Sequence, residues 1–328
     1  MIRPIALLVA CLVALLLVVF WWKGVGLKPL DDAARADLQK RGLAHQFATV
    51  PSGSIHYQLT GPPDGEVVLL IHGFSAPMFV WDGVAANLAA SGYRVLAFDG
   101  YGRGFSSRPD TVYDESLIDT EIVQLLAHLN VRRPIHVVGY SAGGVSAAVF
   151  AERHPSQTAT LTLIAPGGLA PKRPLPVGPF RIPGVEPWFG RVVAPGLFQK
   201  FFTKTLVGLP NADLLKTAMA QQFRYVGAGP AMTSIVLHYP VTGAGNLYAA
   251  AAATGVPTLL LWGEADTTAP FAWSKAMQRL MPAARLVSFE HQEHNIVYAR
   301  PDLVSGRLRS FLKAEPLPTV EPAHGVIP

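Results

Sequence analysis

The chain has 328 residues, half of them hydrophobic and only 15% charged, with a formal net charge of +5. That length accommodates two domains, or one large α/β domain carrying an insertion. Lys and Arg are scattered rather than clustered, which argues against nucleic-acid binding, and the single cysteine, Cys11, excludes an intrachain disulfide; no Cys or His cluster has zinc-site spacing.

The first element is the run from Ile5 to Trp22, "IALLVACLVALLLVVFWW", uncharged and flanked by Arg3 and Lys23. It approaches the ~20 apolar residues that cross a ~30 Å hydrocarbon layer. Trp21 and Trp22 stand where interfacial aromatics belong. The bulky Phe20, Trp21 and Trp22 argue against a small-residue signal-peptidase site, and most of the apolar run follows Cys11, unlike a lipoprotein leader. The expectation is a single-pass N-terminal anchor over residues 1–26. Arg3 opposes Lys23 and Lys28, so the charge rule gives no orientation. Leu27 to Arg41 reads as a polar, helical connector in which Asp31 starts the helix.

Seven strand-like runs follow: "GSIHYQLTG", "EVVLLIHG", "GYRVLAFDG", "PIHVVGYS", "TLTLIAPGG", "VPTLLLWGEAD" and "ARLVSFEHQEH". Helix-length stretches separate most of them, at Val80–Ala90, Ser116–Asn130, Ser141–His154, Phe271–Met281 and Asp302–Lys313. Short apolar strands alternating with helices predict an α/β fold, a mainly parallel, doubly wound sheet covered on both faces. Residues 168–250 break the alternation. They are rich in Pro, Phe and Leu and contain a helical patch at Asn211–Gln222, so they read as an inserted, mostly helical cap. The core is then 27–167 plus 251–314, and "EPLPTVEPAHGVIP", 315–328, reads as a loose tail.

Gly139-Tyr140-Ser141-Ala142-Gly143 is a G-x-S-x-G between a strand and a helix. Glycine on both flanks removes Cβ atoms that would collide where the helix folds back on the strand. The Ala142 amide lies at the helix start, where N–H groups are unpaired and the dipole favours negative charge. Serine needs an oriented base. On this architecture the chain order is Ser, acid, His, which selects Asp266 after "PTLLLWG" and His294 after "RLVSF". Glu264 is the rival acid and His291 the rival base. Asp99 is expected to tie down its adjacent turn.

From about Ile55 to Leu312 the chain resembles the α/β-hydrolase superfamily, in its lid-containing, serine esterase and lipase-like branch. "LLIHGFSAPMFVW" is similar to the family's oxyanion loop, "FDGYGRGFSSRP" to its D-x-x-G-x-G-x-S block, "LWGEADTTAP" to its acid loop and "EHNIVYARP" to its histidine loop. Pro301 keeps the family spacing from His294 and not from His291. Glu293 stands where glycine is usual, and Ala299 where glutamate is common. The resemblance implies that His72 and Gly73 shape the oxyanion loop and that the Phe74 amide joins that of Ala142 as second oxyanion donor. Phe74 and Tyr140 are expected to line the substrate pocket. No cofactor or metal is implied.

The expected reaction is ester hydrolysis through an acyl-enzyme on Ser141, with His294 as base and Asp266 orienting it. The anchor and apolar cap point to a lipid-like ester, such as a monoacylglycerol or medium-chain ester, with the membrane as partner. A carbon–carbon bond hydrolase of the meta-cleavage type is the enzyme alternative; its substrate carboxylate needs cap cations, for which only Arg173, Arg181 and Arg191 offer themselves. Proline-peptide cleavage needs cap carboxylates beyond Glu186 and Asp213. A binding protein with an inactive hydrolase fold is the alternative of another class.

Overall fold

The computed structural model describes residues 2–40, 45–171 and 178–315. Eight strands, β1 (Gln46–Val50), β2 (Gly53–Thr60), β3 (Val67–Ile71), β4 (Arg94–Phe98), β5 (Ile135–Tyr140), β6 (Thr158–Ile164), β7 (Thr258–Gly263) and β8 (Arg285–Phe289), form one sheet ordered β1-β2-β4-β3-β5-β6-β7-β8. The β1–β2 and β2–β4 pairs are antiparallel and all others parallel. Chain order reverses between β3 and β5, and such a switch point opens a crevice at the strands' carboxyl ends.

Helices α1 (Ile2–Gly24) and α2 (Asp32–Lys40) precede the sheet, and α3 (Asp82–Ala89), α4 (Glu115–His128) and α5 (Ala142–Arg153) lie within its first part. Between β6 and β7 come α6 (Val185–Val192), α7 (Ala194–Lys204), α8 (Ala212–Gln221), α9 (Ala228–His238) and α10 (Gly245–Ala253). Then follow α11 (Trp273–Leu280), α12 (Ile296–Ala299) and α13 (Pro301–Leu312). The side-chain alternation of each strand divides the core. Leu69 and Ile71 join the layer of α4, α5 and α10, while Val68 and Leu70 join that of α3 and α13. Every residue of β5 and β7 is buried, which is why these strands read as unbroken apolar runs.

The mainly parallel sheet, two-sided helical cover and helical insert between β6 and β7 are as the sequence predicts. Helices α6–α9 form the cap, whereas α10 packs on α5 in the core layer. Two details differ. β1 is an additional edge strand, paired only with β2. The connector is helical only over α2, capped by Asp31, whose Oδ1 accepts from Ala34 N–H at 2.9 Å. Ahead of it Lys28 is extended, as Pro29 favours, and bridges to Tyr225. Past Glu315 the expected tail lies outside the described residues, as does Arg173.

Helix α1 includes an 18-residue stretch, Leu7–Gly24, long and apolar enough to span a bilayer and not buried within the protein. Length and composition of this kind serve membrane anchors and secretion signals alike. One cap helix follows it: α6 packs along α1, and Trp188 Nε1 donates to the Leu16 carbonyl at 3.0 Å.

One buried acid makes stability depend on pH. Glu121, on α4, accepts the Tyr101 N–H at 2.6 Å through Oε1, while its Oε2 has no partner among the described residues. Burial pushes its carboxyl up to about 8, against the pull of the Arg103 guanidinium. Because the folded value lies above the ordinary 4.5, this group's contribution to stability is whole below about 4.5 and is lost as pH rises through about 8. Glu121→Gln keeps the shape and acceptor without the charge. Across that window its melting temperature should fall less than the wild type's; parallel melting curves would contradict the assignment.

Candidate active site

Ser141 follows β5 directly and caps α5 with φ 54° and ψ −122°, a region that residues with a Cβ rarely occupy. The flanking glycines make this possible. A Cβ at position 139 would stand 2.3 Å from the Gly143 carbonyl oxygen, and one at 143 would stand 2.3 Å from the Ile71 carbonyl oxygen. The turn is held by Ser141 N–H donating to Ile164 O, and by the N–H groups of Gly144 and Gly167 donating to Ser141 O, each at 2.9 Å.

Ser141 meets His294 and Asp266 at the sheet's carboxyl edge. His294 Nε2 lies 3.0 Å from Ser141 Oγ, and its Nδ1 lies 2.7 Å from Asp266 Oδ2. A carboxylate only accepts, so Nδ1 carries the proton and leaves Nε2 free to take that of the serine. Asp266 is fixed in turn: its Oδ1 accepts the N–H groups of Thr268 and Ala269, both at 2.8 Å. The rivals lie elsewhere. Glu264 is exposed and accepts from Ser288 Oγ at 2.6 Å, and His291 is an exposed turn residue at φ 59°.

The loop after β3 completes the crevice. Neither Phe74 N–H nor Ala142 N–H donates to a backbone acceptor among the described residues. His72 holds this loop by both ring nitrogens, with Nδ1 2.7 Å from Gly73 O and Nε2 3.0 Å from Gly100 N. The carbonyl must accept and the amide donate, so the tautomer is set. Burial, with Arg103 nearby, lowers His72 to about 4 and keeps it neutral. Asp99 does more than tie its own turn. Oδ1 accepts Met78 N–H at 2.8 Å, and Oδ2 accepts Phe105 N–H at 3.0 Å and meets His56 Nδ1 at 2.5 Å. Burial would raise this carboxyl, but His56 and the Met78 amide outweigh it and hold it at about 2.

A cavity of about 30 Å³ adjoins Ser141 and His294, walled by Phe74, Ala76, Tyr140, Phe201, Phe202 and Tyr298. Phe74 and Tyr140 therefore both face it, although the Tyr140 hydroxyl is committed to His294 O at 2.8 Å. Helix α7 closes the space: Phe198 packs edge-on against Phe74, with centroids 5.2 Å apart. Two links tie the histidine loop to the end of α7, Asn295 Nδ2 donating to Thr205 O at 2.8 Å and Tyr298 OH meeting Thr205 Oγ1 at 2.6 Å. No local motif marks these contacts, because they join segments some 90 residues apart. Arg191 lies at the far side of the cap, against Phe20 of α1.

A serine on a strained strand-to-helix turn, an imidazole and a carboxylate on neighbouring strand ends define a hydrolase-type α/β protein. The alpha/beta hydrolase fold family model matches residues 66–301, and the chain belongs to that family. It is 25% identical over 289 residues to the AB hydrolase superfamily protein YfhM of Bacillus subtilis strain 168, covering 83% of this chain and 99% of that one. It is 27% identical to the non-heme haloperoxidase of Rhodococcus erythropolis over 287 residues, or 82% and 99% of the two chains. Among solved structures, a membrane phospholipase A described as a bacterial virulence factor matches with TM-score 0.65 and 25% identity, over 96% of this chain and 99% of that one. A thermophilic esterase of Thermogutta terrifontis shares the fold with TM-score 0.68 and 22% identity, over 82% and 98%.

The turn's dependence on glycine can be measured. Gly143→Ala should cost about 3 kcal/mol or more, since the obstructing atom is backbone. Gly306→Ala in α13, whose Cβ would meet nothing within 4 Å, should stabilise by up to ~1 kcal/mol. Denaturant unfolding of the full chain in micelles compares the two.

Proposed function

We propose that the protein is a membrane-anchored serine hydrolase of lipid-like carboxylic esters, working through an acyl-enzyme on Ser141. The observation carrying this reading is the continuous hydrogen-bond line Asp266–His294–Ser141 beside two free backbone amides. Ser141 Oγ attacks the ester carbonyl as its proton passes to His294 Nε2. The carbonyl oxygen becomes an oxyanion, received by the amides of Phe74 and Ala142. Asp266 stays ionised and stabilises the imidazolium. The C–O bond to the alcohol then breaks, and His294 returns the proton to that alcohol. Water, giving its proton to His294, attacks the acyl-enzyme and releases the acid, restoring the Ser141 hydroxyl. The cycle needs no cofactor.

Three features support a lipid-like substrate. The cavity at Ser141 is predominantly apolar, and no Lys or Arg lines it, which weakens a carbon–carbon hydrolase that must hold a substrate carboxylate. The cap exposes Ile182, Leu197, Phe201, Val207 and Leu214, and Phe201 also walls the cavity. Helix α1 supplies the anchor over residues 1–26, the core takes in 27–167 and 251–314, and the cap is α6–α9 within 168–250, the last residues of that insertion belonging to α10 of the core layer. The phospholipase match leaves out only 4% of this chain, about 13 residues, fewer than the 23 of α1, so it reaches into that helix.

A ladder of p-nitrophenyl esters tests the proposal. Turnover should peak at medium or long acyl chains and vanish in Ser141→Ala; no turnover on any ester would refute it. Asp266→Asn should lower kcat by about 10⁴-fold, the scale known for loss of the orienting carboxylate in serine proteases. A cavity of about 30 Å³ holds little more than one or two waters, so an acyl chain needs its walls to open, and α7, carrying Phe201 and Phe202, is one of them. Phe198→Ala removes the ring packed on Phe74 and should move the preferred chain length upward; an unchanged profile would show that α7 does not bound the acyl pocket.

A further inference from the structure

A second cavity, of about 300 Å³, lies where α1 ends against the cap. This is far more than the ~10–15 Å³ that admits a single water. Its polar side chains are Lys23, Arg191, Gln199 and Tyr225, and no Asp or Glu lines it. Neither cation has a hydrogen-bond or ion-pair partner among the described residues. Lys23 Nζ lies 5.4 Å from the centre of the Trp22 ring, and the Arg191 guanidinium lies 3.9 Å from that of Phe20. Two cations lining one hollow without a counter-charge make a positive potential that attracts an anion.

The walls are fastened together. Lys28 N–H donates to Arg224 O, and Val226 N–H donates to Lys28 O, both at 2.9 Å, so the exit of α1 is paired with the segment before α9. The cavity shares no lining residue with the one at Ser141, yet α7 borders both, through Pro195 and Gln199 here and Phe201 and Phe202 there.

We infer that this cavity binds a phosphate-bearing anion, with Lys23 and Arg191 giving charge-assisted hydrogen bonds and Gln199 and Tyr225 neutral ones. A phospholipid headgroup and free inorganic phosphate present the same chemistry. The headgroup source rests on the anchor reading of α1, which sets Lys23 beside Trp22 at an interfacial level. The site lies outside the ester-cleaving machinery, and an occupant would bridge the anchor to the cap helix that closes over Ser141.

The test uses the full chain carrying Ser141→Ala, so that no ester turns over, in micelles under native mass spectrometry. The probes are phosphatidylglycerol, diacylglycerol with the same acyl chains, and inorganic phosphate. Phosphatidylglycerol should be retained in preference to diacylglycerol. Lys23→Gln and Arg191→Gln should each cut that preference about fivefold, and Arg191→Lys should largely keep it. Lys23 is exposed, so Lys23→Gln tests its charge without disturbing packing. Inorganic phosphate binding that both Gln variants weaken, without a headgroup preference, assigns the site to free phosphate and sustains the inference. Equal retention of both lipids with no phosphate binding, or a preference untouched by Lys23→Gln, overturns it. Recovery of the same chain in the membrane fraction tests the anchor separately.

Discussion

Ser141 holds a φ of 54° at a turn where the residues two before and two after it, Gly139 and Gly143, have no room for a Cβ. Helix α5 starts so abruptly after β5 that the Gly143 carbonyl fills the space a Cβ at 139 would occupy, and the Ile71 carbonyl fills that of one at 143. The same abruptness leaves the Ala142 amide, at the first position of α5, without a helical hydrogen bond. Presentation of the Ser141 hydroxyl and an unpaired amide beside it are thus two results of a single backbone geometry. The close contact of α5 with β3 also brings the loop carrying Phe74 to the same place.

The partners of Ser141 come from three other strand ends, and their precision is that of the sheet. β3, β7 and β8 run parallel to β5, so the loops after them open on one edge. Short hydrogen bonds then hold each loop. Asp99 fixes the loop after β3 through Met78, and Asp266 uses one oxygen for its own turn and the other for His294. Tyr140 clamps the histidine loop at the His294 carbonyl. Asp99, Asp266, Tyr140 and His294 are buried, where an unmade hydrogen bond is costly and a made one is rigid.

Much of this was legible in the sequence because it is written locally. Six of the strands contain apolar runs and β2 alternates, and the serine turn, acid loop and histidine loop each carry their residues within a few positions. β1 was not legible: it is a five-residue edge strand of mixed burial, paired only with β2, and its residues form no apolar run. Nor does the sequence show that Phe198 plugs the crevice, that Thr205 is tied to Asn295 and Tyr298, or that α10 belongs to the core layer while its neighbours form the cap. Those contacts arise when an insertion folds back on its parent sheet, and neither periodicity nor spacing records them. The start of the connector helix at Asp31 is legible from its capping side chain, whereas the bridge of Lys28 to Tyr225 ahead of it is not.

The hydrogen bond from Trp188 to the Leu16 carbonyl fixes a depth. Leu16 precedes the end of α1 at Gly24 by eight residues, about 12 Å along a helix. In a bilayer crossed by α1 along its normal, that places the indole of α6 well below the headgroups, in hydrocarbon, where a donated N–H has no competing water. Under the anchoring proposed above, α6 would lie alongside the span rather than above the membrane surface, and the cap would keep its position relative to the bilayer through that one contact.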